Sequence, residues 1–208
     1  ITVGNGTYTL NVQNDRVQYP LELTKKDDAG NLLEGVTFGI YTAKDASGNP
    51  QNKVAEMTTG ANGVAVSKNL NPGTYYIKEL SAPAGYEPST QVIEATIAVG
   101  GGKVQLGTVV NQRKAFSVTL TKKDDANAPI AGAVFSIYAA VDQDGKPQGD
   151  PVATMTTGTN GVATSTALKP GTYYVQETQV PAGYELDDQV REITIALNNE
   201  GNVKFEMG

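Results

Sequence analysis

The chain has 208 residues, of which 39% are hydrophobic, with no cysteine, no histidine and a formal net charge of −6. Without histidine there is no Ser-His-Asp hydrolysis, no imidazole general base and little prospect of zinc, and without cysteine no disulfide. The mild negative charge argues against a nucleic-acid or anionic-membrane surface, and no apolar run approaches membrane-spanning length. No signal peptide opens the sequence, so the block is expected to come from the interior of something longer. Nothing in the composition asks for a cofactor or a metal.

The first segment, Thr7–Asn14, alternates Tyr8, Leu10 and Val12 against Thr9, Asn11 and Gln13. It reads as the last strand of a preceding domain of the same kind as the rest of the chain. Strands are then predicted over Leu21–Thr24, Thr37–Thr42, Val54–Thr58, Gly63–Ser67, Gly73–Leu80, Val92–Val99 and Lys103–Val110. The same series returns over Phe116–Thr121, Val134–Ala139, Val152–Thr156, Gly161–Ser165, Gly171–Thr178, Arg191–Leu197 and Val203–Met207. Asn62-Gly63, Asn160-Gly161 and Asp144-Gly145 supply turn residues that tolerate positive φ. No segment carries a helical period.

The recurrence is literal. Leu23-Thr24-Lys25-Lys26-Asp27-Asp28 returns as Leu120-Thr121-Lys122-Lys123-Asp124-Asp125, and Pro72-Gly73-Thr74-Tyr75-Tyr76 returns as Pro170-Gly171-Thr172-Tyr173-Tyr174. The offset is 97 at the lysines and 98 at the Pro-Gly turns. A period near 100 residues is one small domain, and too long for a solenoid unit. The expected organisation is a leading remnant over 1–18, one repeat over 19–113 and a second over 114–208. Seven short strands per repeat predict a β-sandwich. The connections at Asp15–Tyr19 and Gln112–Ala115 are short and hold no Gly/Ser stretch, which predicts stiff linkage.

Side chains alternate between the faces of a strand. On that parity Lys25 continues the core row Leu21, Leu23, and Lys122 continues Val118, Leu120. Glu79 ends the row Tyr75, Ile77, and Glu177 ends Tyr173, Val175. Asn111 follows Val109, and Asn14 follows Leu10 and Val12. Charges leave water at a cost, so each is expected to have a partner. The simpler explanation is that the lysines snorkel from strand ends and the glutamates form ordinary ion pairs.

Taken together, these motifs resemble the Cna protein B-type (SpaA-like) domain of Gram-positive surface adhesins and pilins. The resemblance rests on Leu-Thr-Lys-Lys-Asp, on Ile130–Tyr138, on Leu168–Thr178 and on Pro181-Ala182-Gly183-Tyr184, and it covers both repeats. It implies an all-β fold of two tandem reverse immunoglobulin-like (prealbumin-like) β-sandwiches. It also implies a spontaneous isopeptide bond between a first-strand lysine and a last-strand asparagine, assisted by a glutamate. Mapped onto this sequence, Lys25 is the nucleophile, Asn111 the electrophile and Glu79 the proton shuttle. Lys122 and Glu177 are the counterparts in the second repeat. Aligning Val104 with Val203 puts the matching asparagine two residues past Gly208. Asn14 would have served an upstream repeat. Lys26 competes with Lys25, but its parity points outward. The residues suit the chemistry, because burial favours a neutral amine and a neutral carboxyl, and the fold makes the reaction intramolecular.

Weaker signals point to structure. Asp142-Gln143-Asp144-Gly145 begins like a calcium loop but lacks its later ligands and reads as a hairpin turn. Asp27-Asp28 and Asp124-Asp125 read as solvated strand ends. Each Tyr pair, Tyr75-Tyr76 and Tyr173-Tyr174, is expected to place one ring in the core and one outside. In Tyr19-Pro20-Leu21 a leucine stands where a pilin motif has its lysine. The expected function is a stalk of a cell-wall-anchored surface protein of a Gram-positive bacterium, monomeric, touching neighbouring repeats of its parent, and not a turnover enzyme. Two alternatives are a module binding host matrix or glycan, and an accessory domain of a secreted polysaccharide-degrading enzyme.

Overall fold

The computed structural model describes residues 13–198 and 203–207. Every regular element among them is a strand. The first repeat contributes Leu21–Asp27 (β1), Thr37–Lys44 (β2), Pro50–Thr58 (β3), Val64–Val66 (β4), Gly73–Ser81 (β5), Tyr86–Glu87 (β6), Val92–Ile97 (β7) and Val104–Arg113 (β8). The second contributes Val118–Lys122 (β9), Val134–Tyr138 (β10), Ala153–Thr156 (β11), Val162–Thr164 (β12), Gly171–Gln179 (β13), Arg191–Ile195 (β14) and Val203–Met207 (β15). Among the described residues the chain divides into two compact units, one running to residue 81 and including 89–110, the other holding 82–88 and the residues from 111 onward.

Each repeat pairs two sheets. In the first they run β4-β1-β8-β6 and β3-β2-β5-β7; in the second, β12-β9-β15 and β11-β10-β13-β14. The strand order is thus repeated, apart from the two-residue β6. The first strand of each repeat neighbours its last, and β9 and β15 run parallel, with Val118 opposite Val203 and Lys122 opposite Met207. The inward rows come from period-two alternation. β1 alternates buried and half-buried residues from Leu21 to Asp27. Val118, Leu120, Phe135, Ile137 and Val175 are fully buried at the centre of the second core, as Leu21, Leu23, Phe38, Ile40 and Ile77 are in the first.

Gln112 and Arg113, read from sequence as linker, are strand residues paired to Glu87 and Tyr86. β3 begins at Pro50, four residues before the expected start. Its opening residues Gln51, Asn52 and Lys53 are exposed, so no apolar alternation announced them. The leading segment falls largely outside the described residues; Gln13 and Asn14 are described and belong to no strand.

Four turns share one device. Asp27, Asp45, Asp124 and Asp142 each accept, on Oδ1, the backbone N–H groups two and four residues ahead, at 2.7–3.0 Å. The carboxylate replaces a backbone acceptor and closes the turn. The position three residues on has positive φ: Gly30, Gly48, Asn127 and Gly145. Asn127 does this without being glycine, as asparagine's tolerance of the left-handed region allows. Asp142 is therefore a turn-former, and among the described residues no three acidic, histidine or cysteine side chains are grouped to hold a metal.

Candidate functional site

The Lys25 side chain enters the first core from β1 and is 0% exposed. Glu79 reaches it from β5, on the opposite sheet, with Nζ to Oε2 at 3.7 Å and both side chains sealed from solvent. The Lys25 Nζ also donates to the Val109 carbonyl of β8 at 3.2 Å. Asn111 lies two residues along β8 from Val109 and is 1% exposed. Alternation puts their side chains on one face. The parity holds because both residues follow Gly107, whose φ of +82 shifts the strand's inward row: Val104 and Leu106 face in before it, Val109 and Asn111 after.

The walls of the site are apolar. Phe38, 1% exposed, stands directly across from Glu79 in the β2–β5 ladder, and Phe135 stands across from Glu177 in the β10–β13 ladder. In that setting burial pushes the Lys25 ammonium below its ordinary pKa, while the Glu79 carboxylate pulls the other way. Buried lysine is thus pressed toward the neutral amine that is a nucleophile.

The second repeat brings together Lys122 and Glu177, with Nζ to Oε2 at 3.9 Å. Glu177 is 1% exposed, and its Oε1 has no hydrogen-bond partner among the described residues. No asparagine stands on β15, whose described residues are Val203–Met207. Asn198 is exposed, Asn199 and Asn202 lie outside the described residues, and Asn14 is exposed. Lys26 is half-buried on the outer parity of β1. Asp27 is buried, but its carboxylate is occupied by the Ala29 and Asn31 amides. Tyr75 is buried and Tyr76 half-buried, whereas Tyr173 and Tyr174 are both half-buried, so the second pair does not divide as cleanly as expected.

Two participants escaped sequence reading. The Ser89 backbone N–H donates to Glu79 Oε2 at 3.3 Å, and the Asp187 N–H donates to Glu177 Oε2 at 3.0 Å. A backbone amide leaves no residue-type signal. The one available hint was equal spacing: each lies ten residues past its glutamate.

Two all-strand sandwiches in tandem, with the same order of main strands in each, are the architecture of prealbumin-like domains. The chain belongs to the family described as SpaA, prealbumin-like fold domain, whose model matches residues 20–111 and 116–208. A "Trypsin-resistant surface T6 protein" from Streptococcus pyogenes serotype M6 is 36% identical over 95 residues, covering 45% of this chain and 16% of that protein. A solved structure of the Bacillus anthracis TIE protein superposes with a TM-score of 0.56 at 27% identity, covering 93% of this chain and 34% of that one. The chain thus spans about a sixth of the curated relative and about a third of the solved structure.

Proposed function

We propose that these are structural stalk repeats of a bacterial surface adhesin or pilin-like protein, and that the first is closed by an amide between Lys25 Nζ and Asn111 Cγ. The setting is extracellular and anchored to a Gram-positive cell wall. Membership of the SpaA family and similarity to a streptococcal surface protein support the surface role. The observation that carries the cross-link is the lysine amine held in a dry core beside a carboxyl group, with β8 passing at hydrogen-bond distance.

The chemistry needs no outside reagent. The Lys25 ammonium passes a proton to Glu79, leaving both groups neutral. The amine attacks Asn111 Cγ while the Glu79 carboxyl polarises the carboxamide oxygen. A proton from the attacking nitrogen moves to the departing nitrogen, ammonia leaves, and the new amide remains. The fold supplies proximity and the apolar wall suppresses charge, so histidine is unnecessary. The reaction occurs once per repeat and does not turn over. The bond would close nearly the whole repeat into a loop, contributing on the order of 4–5 kcal/mol by the chain-entropy argument used for disulfides. It would also carry tension from the first strand directly to the last.

Intact mass tests this. The purified chain is expected to be one ammonia lighter than its sequence mass, with peptide mapping placing the link between Lys25 and Asn111. Lys25→Ala should restore the full mass. An unmodified wild-type chain overturns the cross-link.

A further inference from the structure

We propose that the backbone amides of Ser89 and Asp187 are positioning groups for the two glutamates: each holds Oε2 and thereby presents Oε1 to the carboxamide. This rests on the cross-link reading and assigns the two oxygens separate tasks. In both repeats the oxygen that takes the backbone N–H is the one near the lysine, with Oε2 at 3.7 Å from Lys25 and 3.9 Å from Lys122. In the second repeat, where no asparagine lies on the described part of β15, Oε1 is buried with no partner among the described residues. A buried acceptor left unpaired costs free energy and marks where a donor belongs. A carboxamide N–H or a proton shared with a carboxamide oxygen fits there.

The two turns that deliver the amide are alike although the residues differ. Ser89 Oγ accepts the Gln91 N–H at 3.3 Å, and Asp187 Oδ1 accepts the Gln189 N–H at 3.1 Å. What the repeats share is the main-chain donor and a side-chain oxygen that pins the turn. The N–H fixes the direction in which the carboxyl group points. The charged groups facing Glu79 and Glu177 are Lys25 and Lys122, and Asp187 also feels Lys122.

The full chain, assembled unreacted by ligation and held in guanidinium, is refolded by dilution across a pH series. The fraction lighter by one ammonia is followed by mass spectrometry. Replacing the peptide link at Ser89 N by an ester removes this donor and keeps every side chain. The ester chain is expected to react about 10-fold more slowly at its optimum, since the carboxyl loses its near-attack orientation. An ester one residue on, at Thr90, leaves the Ser89 N–H in place and should react at the wild-type rate. A Ser89 ester chain with the wild-type rate, or a Thr90 ester chain slowed equally, overturns the positioning role alone. A wild-type chain that never loses ammonia overturns the cross-link reading, and this inference with it.

Discussion

The two repeats share a core and differ in how well they close over the lysine. In the first, β8 runs ten residues, from Val104 to Arg113, and its end pairs with Tyr86-Glu87. Lys25 is sealed and Tyr86 is 9% exposed. In the second, the described residues of β15 reach Met207, opposite Lys122, and Tyr184-Glu185 form no strand. Lys122 is 6% exposed, Tyr184 is 44% exposed, and Glu177 Oε1 has no partner among the described residues. The Phe–Glu pairing is the same in both.

The lysines should separate the repeats most. Lys25→Ala removes the proposed cross-link together with the buried amine and is expected to cost the first repeat about 5 kcal/mol or more. Lys122→Ala breaks no bond but leaves Glu177, 1% exposed, without its cation, and should cost about 3 kcal/mol. Denaturant unfolding of each variant measures both, and equal losses would break the comparison. A smaller contrast is expected at the tyrosines. Tyr86→Ala should lose about 2 kcal/mol for its buried ring, and Tyr184→Ala less than about 0.5 kcal/mol.

Removing the electrophile sharpens the comparison through pH. In Asn111→Ala the lysine stays an amine whose pKa is lowered in the fold. Between that lowered value and the ordinary lysine range the unfolded chain holds the extra proton, so stability should rise with pH there. A wild type cross-linked as proposed has no such amine and should show no such rise in the first repeat. Matching slopes for variant and wild type would count against the bond. The smallest effect belongs to the second repeat. Asp187 is held below its usual carboxylate range by the Arg191 guanidinium 2.7 Å away. Its stabilisation is present above the unfolded carboxylate pKa and lost as pH falls through the lowered one. Arg191→Ala should remove less than about 1 kcal/mol, seen as a flatter acid limb in the stability profile.

Much of this was legible from alternation. The parity of Leu21, Leu23 and Lys25 fixes which face the lysine takes, and the same arithmetic places Glu79 after Tyr75 and Ile77. The two copies made the reading stronger, since one pattern had to serve both. Alternation has no hold where side chains do not report the backbone. The edge strand β3 opens on polar residues exposed to water, β6 is two residues long, and the Ser89 and Asp187 donors are main-chain atoms. Gly107 shows the limit from the other side: counting from Val104 without a shift would turn Asn111 outward.

The aspartate-tied turns have a consequence for life outside a cell. Loop tips are where proteases usually gain entry, because the main chain there can be drawn out into a cleft. At Asp27, Asp45, Asp124 and Asp142 the tip is knotted to its own carboxylate, so an attacking enzyme must first undo that knot. At Asp45 the hydrogen bonds from Asn49 hold the carboxyl below its usual range, so that corner keeps its knot until pH falls through the lowered value.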